Sequence, residues 1–148
     1  MMTADSDRDP SARGDLFFRD RHRIRRAGDY KAAFDAKLRK TAGPLVVFGR
    51  PTEHEEHRLG LSVGRRVGKA HGRVRIKRLL REAFRLNRAQ LPTPPPQAGR
   101  AYDFVVRVRP HEPADLADYE RWLRDAARRV DTEQRRRSSR TDGDDDGA

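Results

Sequence analysis

The chain contains no cysteine, which removes disulfide staples, thiol catalysis and cysteine-based zinc sites and fits a reducing compartment. It also lacks a long apolar run. The longest, Pro44 to Phe48, falls far short of the roughly 20 residues that cross a bilayer, and the opening MMTADSDRDP holds no apolar block of the kind a signal peptide carries. A cytosolic protein is expected, with no membrane partner. Aromatic residues make up only 7% of the 148 positions, so each one on a patterned face carries weight. No acid pair, no nucleophile beside a base and no GxxxxGK[ST] phosphate loop is legible, since GRRVGKAHG departs from that pattern. His54 and His57 in EHEEH lack the spacing of a helical metal motif and read as a polar hairpin tip. No catalytic or metal-ligating residue is assigned, and no cofactor is expected on the protein itself.

What the chain does have is positive charge, unevenly spread. The formal net charge is +11, residues 1–20 and 131–148 each sum to −2, and the segment 21–130 is left at +15. Self-repulsion on that scale is costly for one compact core and is most simply relieved by a polyanion, with nucleic acid the leading candidate. Both tails are polar and without periodicity, apart from a small apolar island at Leu16, Phe17 and Phe18. Residues 1–20 and 131–148 are therefore expected to be disordered, flanking one domain over 21–130.

Periodicity supplies the elements. Asp29 can cap a helix to about Lys37, with Tyr30, Ala33, Phe34 and Leu38 on one stripe. Pro44 to Arg50 reads as a strand. From Arg58 a second strand sets Leu59, Leu61 and Val63 against a bare face of Gly60, Ser62 and Gly64. A helix from about His71 to Gln90 stops at PTPPPQAG. Ala101 to Arg109 alternates Tyr102, Phe104, Val106 and Val108 with Asp103, Val105, Arg107 and Arg109, and a last amphipathic helix runs from about Asp115 to Val130. The order, helix then two or three strands, helix, strand and helix, predicts an α+β or α/β sandwich of one sheet with packed helices.

The helix in KAHGRVRIKRLLREAFR concentrates the charge. Turned at about 100° per residue, Ile76, Leu79, Leu80, Ala83 and Phe84 share a core face, while Lys77, Arg78, Arg81, Arg85 and Arg88 gather opposite. Seven cations between Arg73 and Arg88 meet one acid, Glu82, and Arg65, Arg66 and Lys69 precede them in a glycine-punctuated loop. Unpaired like charges at i and i+4 destabilise a helix by a few tenths of a kcal/mol each, so a solvated face is the poorer explanation. Arginine forks suit phosphate.

The run RLGLSVGRRVGKAHGRVRIKRLLREAF closely resembles the signature region of the protein subunit of bacterial ribonuclease P, and the likeness extends over about Arg21 to Val130, including RHRIRRAGDYKAAF and PLVVFGR. The resemblance implies a ribosomal protein S5 domain 2-like fold, with a left-handed βαβ crossover through the basic helix. It implies RNA binding by Arg65, Arg66, Lys69, Arg73, Arg75, Lys77, Arg78 and Arg81. It also implies a cleft for the single-stranded 5′ leader of precursor tRNA at Tyr30, Phe34 and Phe48, with Arg50 on the same strand face as a phosphate contact. The partners implied are a catalytic RNA subunit, in a 1:1 complex with a monomeric protein, and the precursor tRNA leader. Catalysis is then expected from the RNA with Mg²⁺, and the protein would be a subunit of a tRNA-processing endoribonuclease.

One departure stands out, because the family's central Asn is Val74 here. Two other readings stay open at this level. Tyr30 and Phe34, at i and i+4, also fit an ordinary core, and the basic domain also fits a protein of another function, either a ribosomal or ribosome-assembly protein that clamps rRNA or a general nucleic-acid chaperone with no fixed partner.

Overall fold

The computed structural model describes residues 18–147, with side chains to Arg140. Helix α1 (Ala27–Asp35) is followed by strands β1 (Arg39–Ala42), β2 (Leu45–Thr52) and β3 (Arg58–Val63), helix α2 (Ala70–Asn87), strand β4 (Ala101–Val108) and helix α3 (Leu116–Gly147). The sheet order is β1-β2-β4-β3. Neighbours are antiparallel except β3 and β4, which run parallel and are joined through α2. This is a mixed α+β sandwich, as the element order predicts.

Strand alternation divides the sheet into two faces. Leu45, Val47, Leu59, Tyr102, Phe104, Val106 and Val108 meet Leu80, Ala83 and Phe84 of α2 and Tyr119, Leu123, Ala127 and Val130 of α3 in the larger core. Burying a side chain such as Leu80 or Phe84 contributes about 1.5–3 kcal/mol. The opposite face carries Phe48 and Val105, which form a smaller cluster with Ile24 and Ala33 under α1. Helix α1 therefore packs across that face through Ala33, with Tyr30 and Phe34 partly buried beside it.

Three expectations change. Asp29 sits inside the first turn of α1, whose N-cap position is Arg26 with no side-chain cap. Its carboxylate instead approaches Arg50 at 3.5 Å and Arg58 at 3.4 Å. The C-terminal residues expected to be disordered continue α3 through Gly147. They lack an apolar stripe, and ion pairs one turn apart hold the helix instead: Arg135 to Asp131 at 2.8 Å and Arg136 to Glu133 at 3.0 Å. Of the N-terminal 20 residues, the apolar island shows a role at Phe18, which packs edge-on against Phe84 with ring centres 5.9 Å apart. The rest of that stretch, up to residue 17, lies outside the described residues.

Candidate nucleic-acid interface

The basic surface begins where β3 ends. Arg65 and Arg66 occupy a 3₁₀ turn, Arg65–Val67, and Lys69 takes the N-cap position of α2. Ile76, Leu80, Ala83 and Phe84 pull one face of α2 onto the sheet, and this leaves Arg75 and Arg78 exposed and Arg73, Lys77 and Arg81 half-buried along a ridge. No carboxylate among the described residues pairs with Arg65, Arg66, Lys69, Arg73, Lys77, Arg78 or Arg81. Arg75 donates to the carbonyl of Ala114 at 3.1 Å, and Glu82 is taken by Arg85. Burial lowers the Arg81 pKa from its ordinary value, and the nearby charge of Arg23 lowers it further. Val74, 53% exposed, is the one large hydrophobic side chain standing in solvent among the described residues. Arg88, assigned by angle to the same arc, turns inward: α2 ends at Asn87, and Arg88 is buried and donates to His22 Nδ1 at 2.8 Å.

The second surface lies between α1 and the edge strand β3. A groove of about 620 Å³ is lined by Ala27, Tyr30, Lys31, Phe34, Asp35, Leu61 and Ser62. The bare strand face predicted at Gly60 is covered, because the Tyr30 ring lies on it so closely that a Cβ there would sit 2.8 Å from Tyr30 Cε1. The Tyr30 hydroxyl accepts a hydrogen bond from the Leu61 amide at 3.2 Å. With Ile24 donating to the Leu59 carbonyl at 3.0 Å, this covers the outer edge of β3.

Tyr30 and Phe34 therefore line the groove, whereas Phe48 and Arg50 do not. Phe48 is buried behind Phe34, edge to face at 4.8 Å. Arg50 is drawn into an internal network. The sheet register places Arg50 and Arg58 on either side of Asp103, and that fully buried carboxylate accepts from Arg50 at 3.2 Å and from both the Nε and Nη2 of Arg58 at 2.8 and 2.6 Å. The charge Arg50 was expected to offer a phosphate is answered by the protein's own acids.

A cation that stands over both aromatics is Arg107, to which the alternation of β4 alone gave no role. Its guanidinium is exposed, 4.8 Å from the Phe34 ring centre and 5.2 Å from that of Phe48. The alternation of β4 was the available signal: Arg107 is the residue two along from Val105, on the strand beside Phe48. A smaller hollow of about 320 Å³, lined by Phe18, Arg23, Arg25, Tyr30, Lys77 and Arg81 among others, continues the groove toward the ridge. Tyr30 borders both hollows, so the ridge and the groove form one surface.

Among the described residues no group of three His, Asp or Glu side chains comes together that could hold a metal ion. His57 is a core histidine, its Nδ1 accepting from the Tyr102 amide at 3.0 Å. No helix among these residues is long and apolar enough to cross a membrane.

The ribonuclease P family model matches residues 18–131. The ribonuclease P protein component of Acinetobacter baylyi is 46% identical over 71 residues, 47% of this chain and 54% of its own length. That of Syntrophobacter fumaroxidans is 37% identical over 98 residues, 66% of this chain and 77% of its own. The chain thus spans little more than half the length of the first of these relatives. Among solved structures, the RNase P protein from Thermotoga maritima is 30% identical with a TM-score of 0.55, over 70% of this chain and 92% of that one.

Proposed function

The chain belongs to the ribonuclease P protein family, and from that premise we propose that it is the protein subunit of a ribonucleoprotein that removes the 5′ leader from precursor tRNA. The observation that carries the reading is the junction at Tyr30, where a ridge of unanswered cations runs into a groove walled by aromatic rings. The ridge, from Arg65 to Arg81, docks on the phosphates of the catalytic RNA, one protein to one RNA. Binding releases counterions and relieves the repulsion within the protein. The groove takes the single-stranded leader. Phe34 and Tyr30 stack on unpaired bases with little regard to which base is offered, each stack being worth about 1–3 kcal/mol, while Arg107 and Lys31 lie close enough to meet the backbone phosphates. A substrate that still carries its leader is then held more tightly than the mature product.

Hydrolysis itself falls to the RNA, whose bound Mg²⁺ supplies the activated water. The protein's part is to lower phosphate repulsion, so that the RNA folds and binds substrate at lower Mg²⁺. The test reconstitutes the purified protein with a bacterial ribonuclease P RNA at low Mg²⁺ and compares cleavage of precursors with long and with absent leaders. Stimulation that grows with the leader is expected, and Phe34→Ala should weaken binding of the long-leader substrate by about tenfold. Stimulation indifferent to the leader would instead describe a passive RNA clamp of the ribosome-assembly kind.

A further inference from the structure

Helix α3 continues well beyond residue 131, where the match to the family ends, and the continuation is fastened to the rest of the molecule. Asp131 accepts from the buried Tyr102 hydroxyl at 2.7 Å and from Arg135. Arg135 in turn donates to the Thr93 carbonyl at 3.0 Å. The decisive contact comes from Arg137, which donates to the carbonyls of Ala36 at 3.2 Å and Lys37 at 2.8 Å. These two carbonyls lie just past the last turn of α1, where a helix leaves acceptors unsatisfied and its dipole favours a cation. Lys37 there has φ of +56°, in the left-handed region that a non-glycine residue enters only under constraint.

Helix α1 is thus tied at both ends. At its start, Asp29 meets Arg50 and Arg58, and the Tyr30 hydroxyl meets Leu61. At its end, the only side chain among the described residues that reaches the carbonyls of Ala36 and Lys37 comes from the continuation of α3. Phe34 is two residues from that second tie and forms one wall of the groove.

We infer that the continuation of α3 past residue 131 is a strut that sets the position of α1, and that Arg137 is a positioning residue for single-stranded RNA in the groove. The inference rests on reading the groove as the leader site. With the strut in place, α1 is held at the spacing at which the Phe34 ring lies on Phe48 and under Arg107. Without it, the C-terminal end of α1 is free to lift, and a base entering the groove must first re-order the wall against which it stacks. Arg137 does this without touching RNA.

The test uses the reconstituted ribonucleoprotein with Arg137→Ala, Arg137→Lys and a chain ending after Thr132, with Phe34→Ala as the reference. Arg137→Ala and the shortened chain should weaken binding of a long-leader precursor roughly fivefold. Affinity for the catalytic RNA and for a precursor with a single-nucleotide leader should stay within about twofold, with Arg137→Lys recovering part of the loss. Amide hydrogen exchange in the free protein should quicken at residues 32–37 in Arg137→Ala, a readout that a direct RNA contact would leave unchanged. If Phe34→Ala impairs leader binding and Arg137→Ala does not, the strut is overturned and the groove stands. Loss of long- and short-leader binding alike would show that Arg137 contacts RNA or the fold at large, and would overturn it too. If Phe34→Ala is itself silent, the groove reading fails first and takes this role of Arg137 with it.

Discussion

Two helices of this protein are rich in arginine, and they treat it in opposite ways. Along α3 the guanidinium groups are answered within the chain: Arg121 meets Asp118 at 3.1 Å, Arg128 meets Asp125 at 2.6 Å and Arg135 meets Asp131 at 2.8 Å. Along α2 and the turn before it, eight cations from Arg65 to Arg81 have no carboxylate partner among the described residues, and Arg85 with Glu82 is the exception. Composition alone does not distinguish the helices, because an Arg-rich genome would enrich both. Pairing does. Exposed pairs one turn apart stabilise a helix by a few tenths of a kcal/mol each, and a protein that supplies them on α3 but withholds them on α2 leaves α2 for an outside anion.

The largest effect expected from disturbing this division lies where the answering is internal. Asp103→Ala removes the fully buried acid between Arg50 and Arg58, whose side chains are only 29% and 14% exposed, and leaves the two cations only the more distant carboxylate of Asp29, at 3.5 and 3.4 Å. A loss of about 3 kcal/mol, seen as a fall in Tm on the order of 10 °C, is expected. Arg50→Ala should cost much less, since Arg58 still satisfies Asp103 through two hydrogen bonds. Equal melting temperatures for the two variants would mean that the pairing does not matter.

The next effect compares the helices directly. Arg78→Ala with Arg81→Ala should weaken binding to the catalytic RNA at least tenfold and reduce the slope of log affinity against log salt by about 2, with no loss of thermal stability. The matched pair Arg121→Ala with Arg128→Ala removes as many charges from α3, yet should leave RNA affinity within about twofold. If both pairs lose affinity equally, net charge rather than the ridge governs binding, and the contrast between the helices carries no functional meaning.

How far the sequence revealed these arrangements depends on the range of the interaction. The core face of α2 was legible because Ile76, Leu80 and Phe84 recur at the helical period, and the cations opposite them followed by rotation. The groove was half legible. Tyr30 and Phe34 at i and i+4 mark one stripe, but a stripe alone does not say whether its rings meet core or solvent, and Phe48 lies buried behind Phe34 rather than on the groove wall. The fate of Arg50 was hidden because Asp103 lies 53 positions away and becomes its neighbour only through the register of β2 on β4. The continuation of α3 was misread for a related reason. Periodicity searches for an apolar stripe, and that segment is held by Arg135 and Arg137 bonding to Thr93, Ala36 and Lys37, acceptors that no local pattern marks. Arg88 followed its neighbours in angle only until α2 tightened after Asn87 and turned it toward His22.

That last pair gives the smallest effect and the finest test of how a buried cation is satisfied here. Arg88 meets a neutral acceptor: His22 Nδ1 takes hydrogen bonds from Arg88 at 2.8 Å and from the Arg19 amide at 2.9 Å, which leaves Nε2 to carry the proton toward Glu56 at 2.7 Å. Protonating Nδ1 would set a donor against two donors. Burial accordingly lowers the His22 pKa from its ordinary 6.5, the charge of Arg88 lowers it further, and Glu56 only partly opposes them. His57 is lowered as well, chiefly by burial. Above pH 6.5 both histidines are neutral in folded and unfolded chains alike, so this part of the stability is fully present. Below it the unfolded chain takes up protons that the folded one refuses, and stability falls with pH until the lowered folded values are passed. Melting temperature should therefore decline between about pH 7 and pH 5, and His22→Asn, which keeps an acceptor near the Arg19 amide but cannot titrate, should decline less steeply. A melting temperature that holds level or rises over that interval would mean that His22 accepts the proton in place.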